Sequence, residues 1–258
     1  MKSWMLITAA FLSSAMPSML AARVNAAELR VLSTHAFLEV LTDLTPTFEQ
    51  ESGYKVTFGL DPSNIIKRQI EAGAPFDVAI VTRAVLDDLI KQGKIAPETQ
   101  AVLGSSGLGL VVRKGAPTPD ISNAEGFKQA LLDAKSIIRS TEGTSGLYFE
   151  SLMERLGIAD AIRAKTTLGP SGRVAEFVAR GEIAMGVQQI PELLPVEGTV
   201  FLGPFPRELQ LNTVFAAGVS IHSQNAEAAK KFIETLTAPA SRGVLKAKGL
   251  DPPLPAAP

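Results

Sequence analysis

The stretch that most constrains this chain runs from Tyr54 to Thr82, YKVTFGLDPSNIIKRQIEAGAPFDVAIVT. Tyr54 to Leu60 is rich in β-branched and aromatic residues and is broken by Asp61-Pro62, so it reads as a strand. Ser63 and Asn64 suit a helix N-cap, and Ile65, Ile66, Gln69 and Ile70 fall at helical spacing up to the stop at Gly73-Ala74-Pro75. Phe76 to Val81 is a short apolar run of the kind buried in a parallel sheet. Strand, helix and strand in this order predict parallel βαβ units. In open α/β sheets ligands lie beyond the carboxyl ends of the strands. Two such ends, Leu60–Asn64 and Val81–Arg83, lead into helices, whose N-termini offer unpaired N–H groups and partial positive charge to an anion. Ser63 and Asn64 are thus candidate ligand contacts as well as candidate caps, and Arg83 either faces the ligand or solvates its helix start.

The segment RQIEAGAPFDV resembles the periplasmic molybdate-binding proteins and the wider family of extracellular solute-binding proteins. There a helix, then EAG-x-P-x-D, then a buried strand follows a serine-bearing binding loop. The likeness closes on Ala247-Lys248-Gly249-Leu250 and covers nearly the whole mature chain. It implies an α/β, two-lobe type 2 periplasmic-binding-protein fold. Each lobe is then a mostly parallel sheet flanked by helices, and two crossover strands join the lobes. The apolar, Gly-bearing runs Gly107–Arg113 and Leu211–Val219 suit those crossings, and hinge closure on a ligand follows from such a design. The expected division is a signal peptide at residues 1–26, a discontinuous lobe 1 at 27–109 and 216–250, lobe 2 at 110–215, and a disordered tail at 251–258.

Further candidate contacts stand where strands give way to helices. Leu29–Leu32 reads as a strand ending at Ser33, Thr34 and His35, before a helix carrying Phe37, Val40, Leu41, Leu44 and Phe48 on one face. The resemblance implies a hydroxyl donor in this loop; alignment places Thr34, His35 or Ala36 there. Ser136–Arg139 is a strand, and the loop Thr141–Gly146 feeds a helix, which makes Thr144, Ser145 and Gly146 a second-lobe cradle. The family's loop also precedes a tyrosine-bearing helix, a pattern Tyr148 fits. Ser171 and Gly172 follow, while Arg173 is either solvated or a carboxylate clamp. The strand after Gly181 ends in Gln188 and Gln189, where the family often carries a tyrosine; an amide both donates and accepts, which opens the ligand to a carboxylate.

Composition narrows the classes. Met1-Lys2-Ser3, the apolar stretch Trp4–Leu20 and Val24-Asn25-Ala26 before Ala27 form a secretory signal, so a periplasmic location follows. There is no cysteine, hence no disulfide, lipid anchor or thiolate site, and two histidines, His35 and His222, are too few for a histidine metal site. With 25 Lys+Arg against 26 Asp+Glu the chain has no electrostatic case for nucleic acid. No G-x-S-x-G elbow or H-E-x-x-H occurs, and Ser33 with His35 is poor triad geometry, so no catalysis and no cofactor are expected. The resemblance implies a monomeric ABC-importer component that hands a small anion to an inner-membrane permease. Molybdate or tungstate is its first candidate and a small carboxylate the alternative; a ligand-sensing role beside a membrane receptor is a further one.

Overall fold

The computed structural model describes residues 27–253; the expected signal segment lies outside them. The chain opens with β1 (Glu28–Ser33), a 3-10 turn at His35–Phe37, α1 (Leu38–Ser52), β2 (Lys55–Leu60), α2 (Ser63–Glu71), β3 (Val78–Thr82), α3 (Arg83–Lys91) and β4 (Ala101–Ser106). It continues through β5 (Leu108–Arg113), α4 (Ala124–Asp133), β6 (Ile137–Ser140), α5 (Thr144–Arg155), α6 (Ala159–Arg163), β7 (Thr166–Gly169), α7 (Val174–Ala179), β8 (Met185–Gln189), α8 (Ile190–Leu193) and β9 (Thr199–Pro204). It ends with β10 (Thr213–Val219), α9 (Ala226–Thr237) and α10 (Arg242–Ala247).

Two five-stranded sheets result, in the orders β2-β1-β3-β10-β4 and β7-β6-β8-β5-β9. In each, three parallel strands (β2, β1, β3 and β7, β6, β8) are extended by an antiparallel strand that arrives from the other lobe, β10 or β5. The exchange is reciprocal. Edge strand β4 of lobe 1 hands the chain across Gly107 to β5 of lobe 2, and edge strand β9 of lobe 2 returns it to β10. The sheets are therefore mixed, with the parallel part at the side that carries the βα loops. β4 and β9 were not legible as strands, because their apolar runs, Ala101–Leu103 and Val200–Leu202, are only three residues long before Gly104 and Gly203.

Period-2 alternation sorts the cores. Val78 and Ile80 face α1 and α9 with Phe37, Phe48, Phe232 and Leu236, while Ala79 and Val81 face α2 and α3 with Ile66, Ile70, Leu86 and Leu89. In lobe 2, Leu108, Leu110 and Val112 join Phe127, Phe149 and Leu152 on one face, and Val111 and Ile138 join Val174 and Val178 on the other. The aspartate of EAG-x-P-x-D is structural. Asp77 is buried and accepts the Arg30 N–H at 2.8 Å and the Ser223 hydroxyl. It thereby ties β1 to the segment after β10, at the end of the sheet away from the βα loops. Asp251, expected to begin a disordered tail, instead exchanges backbone hydrogen bonds with Ser105 at 2.7 and 2.8 Å and so lengthens the edge of lobe 1.

The two crossings are locked together by one side chain. The Gln210 amide accepts from the Leu108 N–H at 2.8 Å and donates to the Leu108 carbonyl at 2.9 Å, reproducing a strand pairing where no strand can continue. Gly107 lies so close that an added Cβ would stand 2.6 Å from the Gln210 nitrogen. Gln210→Ala leaves the buried Leu108 donor unmatched, and a loss of about 1–3 kcal/mol in urea unfolding is expected. An unchanged midpoint would show that water replaces the amide.

Candidate functional site

The carboxyl ends of β1, β3, β6 and β8 point from both lobes into one interlobe cleft. At its centre is a small cavity of about 20 Å³ whose walls include Thr34, His35, Ser63 and Thr82 from lobe 1, and Ser140, Gly143, Thr144, Ser145, Ser171, Gln189 and Glu192 from lobe 2. A larger groove of about 510 Å³ lies at the opposite end of lobe 1, around Arg30, Phe76, Asp77 and Lys94. Its buried carboxylate is already bonded within the fold, so the strand-end cleft is the functional candidate.

Two helices aim their N-termini at the small cavity, α2 of nine residues and α5 of twelve, and neither has a side-chain cap. Their first N–H groups are consequently open to a ligand. Ser63 does not cap α2: it is the first helical residue, and its hydroxyl accepts the Thr82 N–H at 3.0 Å, which leaves its own proton to donate. Thr144 and Ser145 form the first turn of α5 rather than a loop before it. The turn sits tight on β6, since a Cβ on Gly146 would overlap the Ser140 carbonyl. Ser140 Oγ is buried without a partner, and so is Gln189 Oε1, whose amide nitrogen donates to Thr213 Oγ1 at 2.8 Å across the lobes. Buried polar atoms with no partner are uncommon in folded proteins, and here they line a cavity.

The other sequence candidates fall outside the cavity wall. Ser33 is buried and bonds the Thr34 carbonyl through its hydroxyl. Asn64 and Gly146 stand on the helical turns behind Ser63 and Ser145. Gln188 is buried beside the wall, with both amide atoms unpartnered. Arg173 is exposed and paired with Glu176 at 2.8 Å, and Arg83 pairs with Asp87 at 2.9 Å. Tyr148 turns to the lobe 2 core and donates to the Leu209 carbonyl at 2.8 Å. Gly172, with φ +77°, is the meeting point of the lobes: a Cβ there would overlap the His35 ring. Ser140 and Thr82 follow from the strand-end rule that located their neighbours. Glu192, three residues past the end of β8, falls under the same rule but is masked, because a Pro-Glu step after a strand reads as an exposed helix start.

The electrostatics of this cavity are distinctive. No Lys or Arg is among its walls in the described residues. The imidazole of His35 is held below its ordinary value by burial, against the opposing pull of Asp61, so it is neutral at pH 7. Burial pushes the Glu192 carboxyl up to about 8, although the residue keeps partial exposure where it also borders the shallow cleft mouth. The Gln188 amide and the Gly172 N–H act in the opposite sense, though Gln188 falls short of a full hydrogen bond.

With this geometry in place, comparison with known proteins is decisive for the family. Residues 29–251 match the family model described as bacterial extracellular solute-binding protein. The chain belongs to that family. A relative named aconitate isomerase, from a Pseudomonas species, is 32% identical over 236 residues, covering 89% of each chain. The molybdate-binding protein ModA of Escherichia coli (strain K12) is 23% identical, covering 86% of this chain and 88% of its own. Among solved structures, the periplasmic molybdate-binding protein of Azotobacter vinelandii superposes with a TM-score of 0.74 at 20% identity, over 87% of this chain and 99% of that one. The family's members are mainly binding proteins, and the fold is that of type 2 periplasmic binding proteins.

Two outcomes test the site's physics. Gly172→Ala adds both a left-handed backbone penalty and a clash with His35, so small-angle scattering should show a larger radius of gyration than wild type; an identical radius would remove Gly172 as the closure contact. The folded state holds a proton on Glu192 that the unfolded chain releases near pH 4.5, so Glu192 lowers stability progressively as pH rises from there to about 8. Glu192→Gln should therefore raise the thermal midpoint more at pH 9 than at pH 5. A pH-independent difference would show that the carboxyl titrates normally.

Proposed function

We propose that the protein is the exported solute-binding component of an ABC importer and that its cleft captures a small oxyanion of the molybdate type. The observation that carries this reading is the convergence of uncapped helix N-termini and hydroxyls from both lobes on one cavity with no cationic side chain. Hydroxyl and N–H donors fix the geometry of an oxyanion without a competing buried ion pair. The arginines that a carboxylate clamp requires are committed to Glu176 and Asp87. The molybdate-binding relatives support the same reading.

A second reading, proton transfer on a small organic acid, is favoured by one pairing: His35 and Glu192, both with shifted proton affinities, flank the same cavity. The relative named aconitate isomerase supports it.

Thermal-shift titration of the mature chain from Ala27 with molybdate, tungstate, sulfate, phosphate and small carboxylates separates the two, because a ligand of the folded state raises the midpoint by mass action. A rise with molybdate or tungstate supports the oxyanion; a rise only with carboxylates, together with interconversion of aconitate isomers by proton NMR, supports the second reading. Under the first, Ser145→Ala and Ser63→Ala should each weaken binding by about 1 kcal/mol, roughly fivefold in Kd, whereas Arg173→Ala should leave it unchanged.

A further inference from the structure

Glu192 is the one carboxyl on the wall of the small cavity, and it stands there without a cation. Its neighbours can be taken element by element. The 3-10 turn His35–Phe37 brings His35, which is uncharged. α1 brings Glu39 to the cleft mouth, where it shares a shallow wall with Glu192 and Glu176. α7 brings Glu176, and the two arginines beside it, Arg173 and Arg180, are both engaged with Glu176 itself. β8 contributes only the amides of Gln188 and Gln189. The charge on β5, Arg113, is at the far end of that strand, paired in register with Thr199, while Leu108 faces Gln189. α10, packed against α8, brings Lys248, which is engaged with Glu39 and Asp43 at 3.7 and 3.0 Å. Among the described residues no basic group pairs with Glu192.

An anion entering the cavity sharpens this conflict. An ionised Glu192 and a bound oxyanion would be two like charges in a space too small for intervening solvent. A neutral carboxylic acid in the same position is instead a hydrogen-bond donor. Gln188 supplies the complementary half. It is wholly buried, both its amide atoms lack partners, and its side chain lies toward Glu192. An amide N–H directed at the carbonyl oxygen of the acid leaves the acid's O–H free for the ligand.

We propose that Glu192 is a ligand-contacting residue that binds the anion as a neutral acid, so that wherever the free cleft holds it ionised, one proton, drawn from solvent, enters the complex with each anion. The proposal rests on the anion-binding reading above. Capture is then proton-coupled, and the site selects anions with a strong acceptor oxygen toward α8. Affinity is highest where Glu192 is already protonated and falls as pH rises, while an amide at this position mimics the protonated form.

Isothermal titration calorimetry of the mature chain with molybdate and sulfate, between pH 7 and 9.5 in buffers of different ionisation heat, tests this directly. Both probes are fully ionised across that range, and His35 is neutral throughout it. Wild type should take up close to one proton per anion at the alkaline end, with Kd rising toward about tenfold per pH unit. Glu192→Gln should show no proton uptake, and its Kd values at pH 7 and 9.5 should agree within about twofold. Wild-type binding with no proton uptake, or loss of binding by Glu192→Gln at every pH, overturns the proposal while leaving the anion reading intact. Absence of binding by either anion at pH 7 overturns both together, a result distinct from a flat pH profile.

Discussion

Everything in this fold depends on how the chain crosses between lobes. Each sheet is completed by a strand that the other lobe delivers, and the two crossings meet at Leu108, where the Gln210 amide stands in for a missing strand neighbour. This holds the carboxyl ends of both parallel sets face to face. The lobes thus bring to the cleft a hydroxyl-bearing strand end and an uncapped helix each. Uncapped helix ends are ordinary; what is specific to the chain is the pairing of two of them across a gap.

The cleft's electrical character follows from what was left out of it. Arginines stand near both halves, yet each is neutralised by a carboxylate one turn away on its own helix. The walls that remain are hydroxyls, amides, a neutral imidazole and a carboxyl that burial keeps protonated near neutrality. Such a set can surround an anion with donors without offering it a counter-charge, which ties discrimination to geometry and protonation state.

Much of the architecture was legible because it is local. The β-branched run at Tyr54–Leu60, the helical spacing of Ile66 and Ile70 and the apolar Phe76–Val81 each encode their element within one window. Ser63, Thr34 and Ser145 were found by the rule that ligands sit beyond strand ends. What failed was long-range. Ser63 was legible as a cap, whereas its real partner is Thr82 on the neighbouring strand. Arg173 left two alternatives open, and only the fold shows it held by Glu176. Glu192 also stands just beyond a strand end, but a charged Pro-Glu step at a helix start reads as solvent-exposed, and only the fold shows it half-buried on the cleft wall. Edge strands β4 and β9 were missed since their apolar runs are only three residues long.

The reciprocal strand exchange also sets an order of assembly. Every strand of the second sheet lies in one uninterrupted span from Leu108 to Pro204, whereas the first sheet needs both the opening strands and β10. A chain synthesised from its N-terminus can complete lobe 2 as soon as β9 emerges. Lobe 1 meanwhile waits with β3 unpaired along one edge. The last segment to arrive, with β10, α9 and the Asp251 bridge, closes the earliest-made sheet. The molecule is thus finished by its own tail.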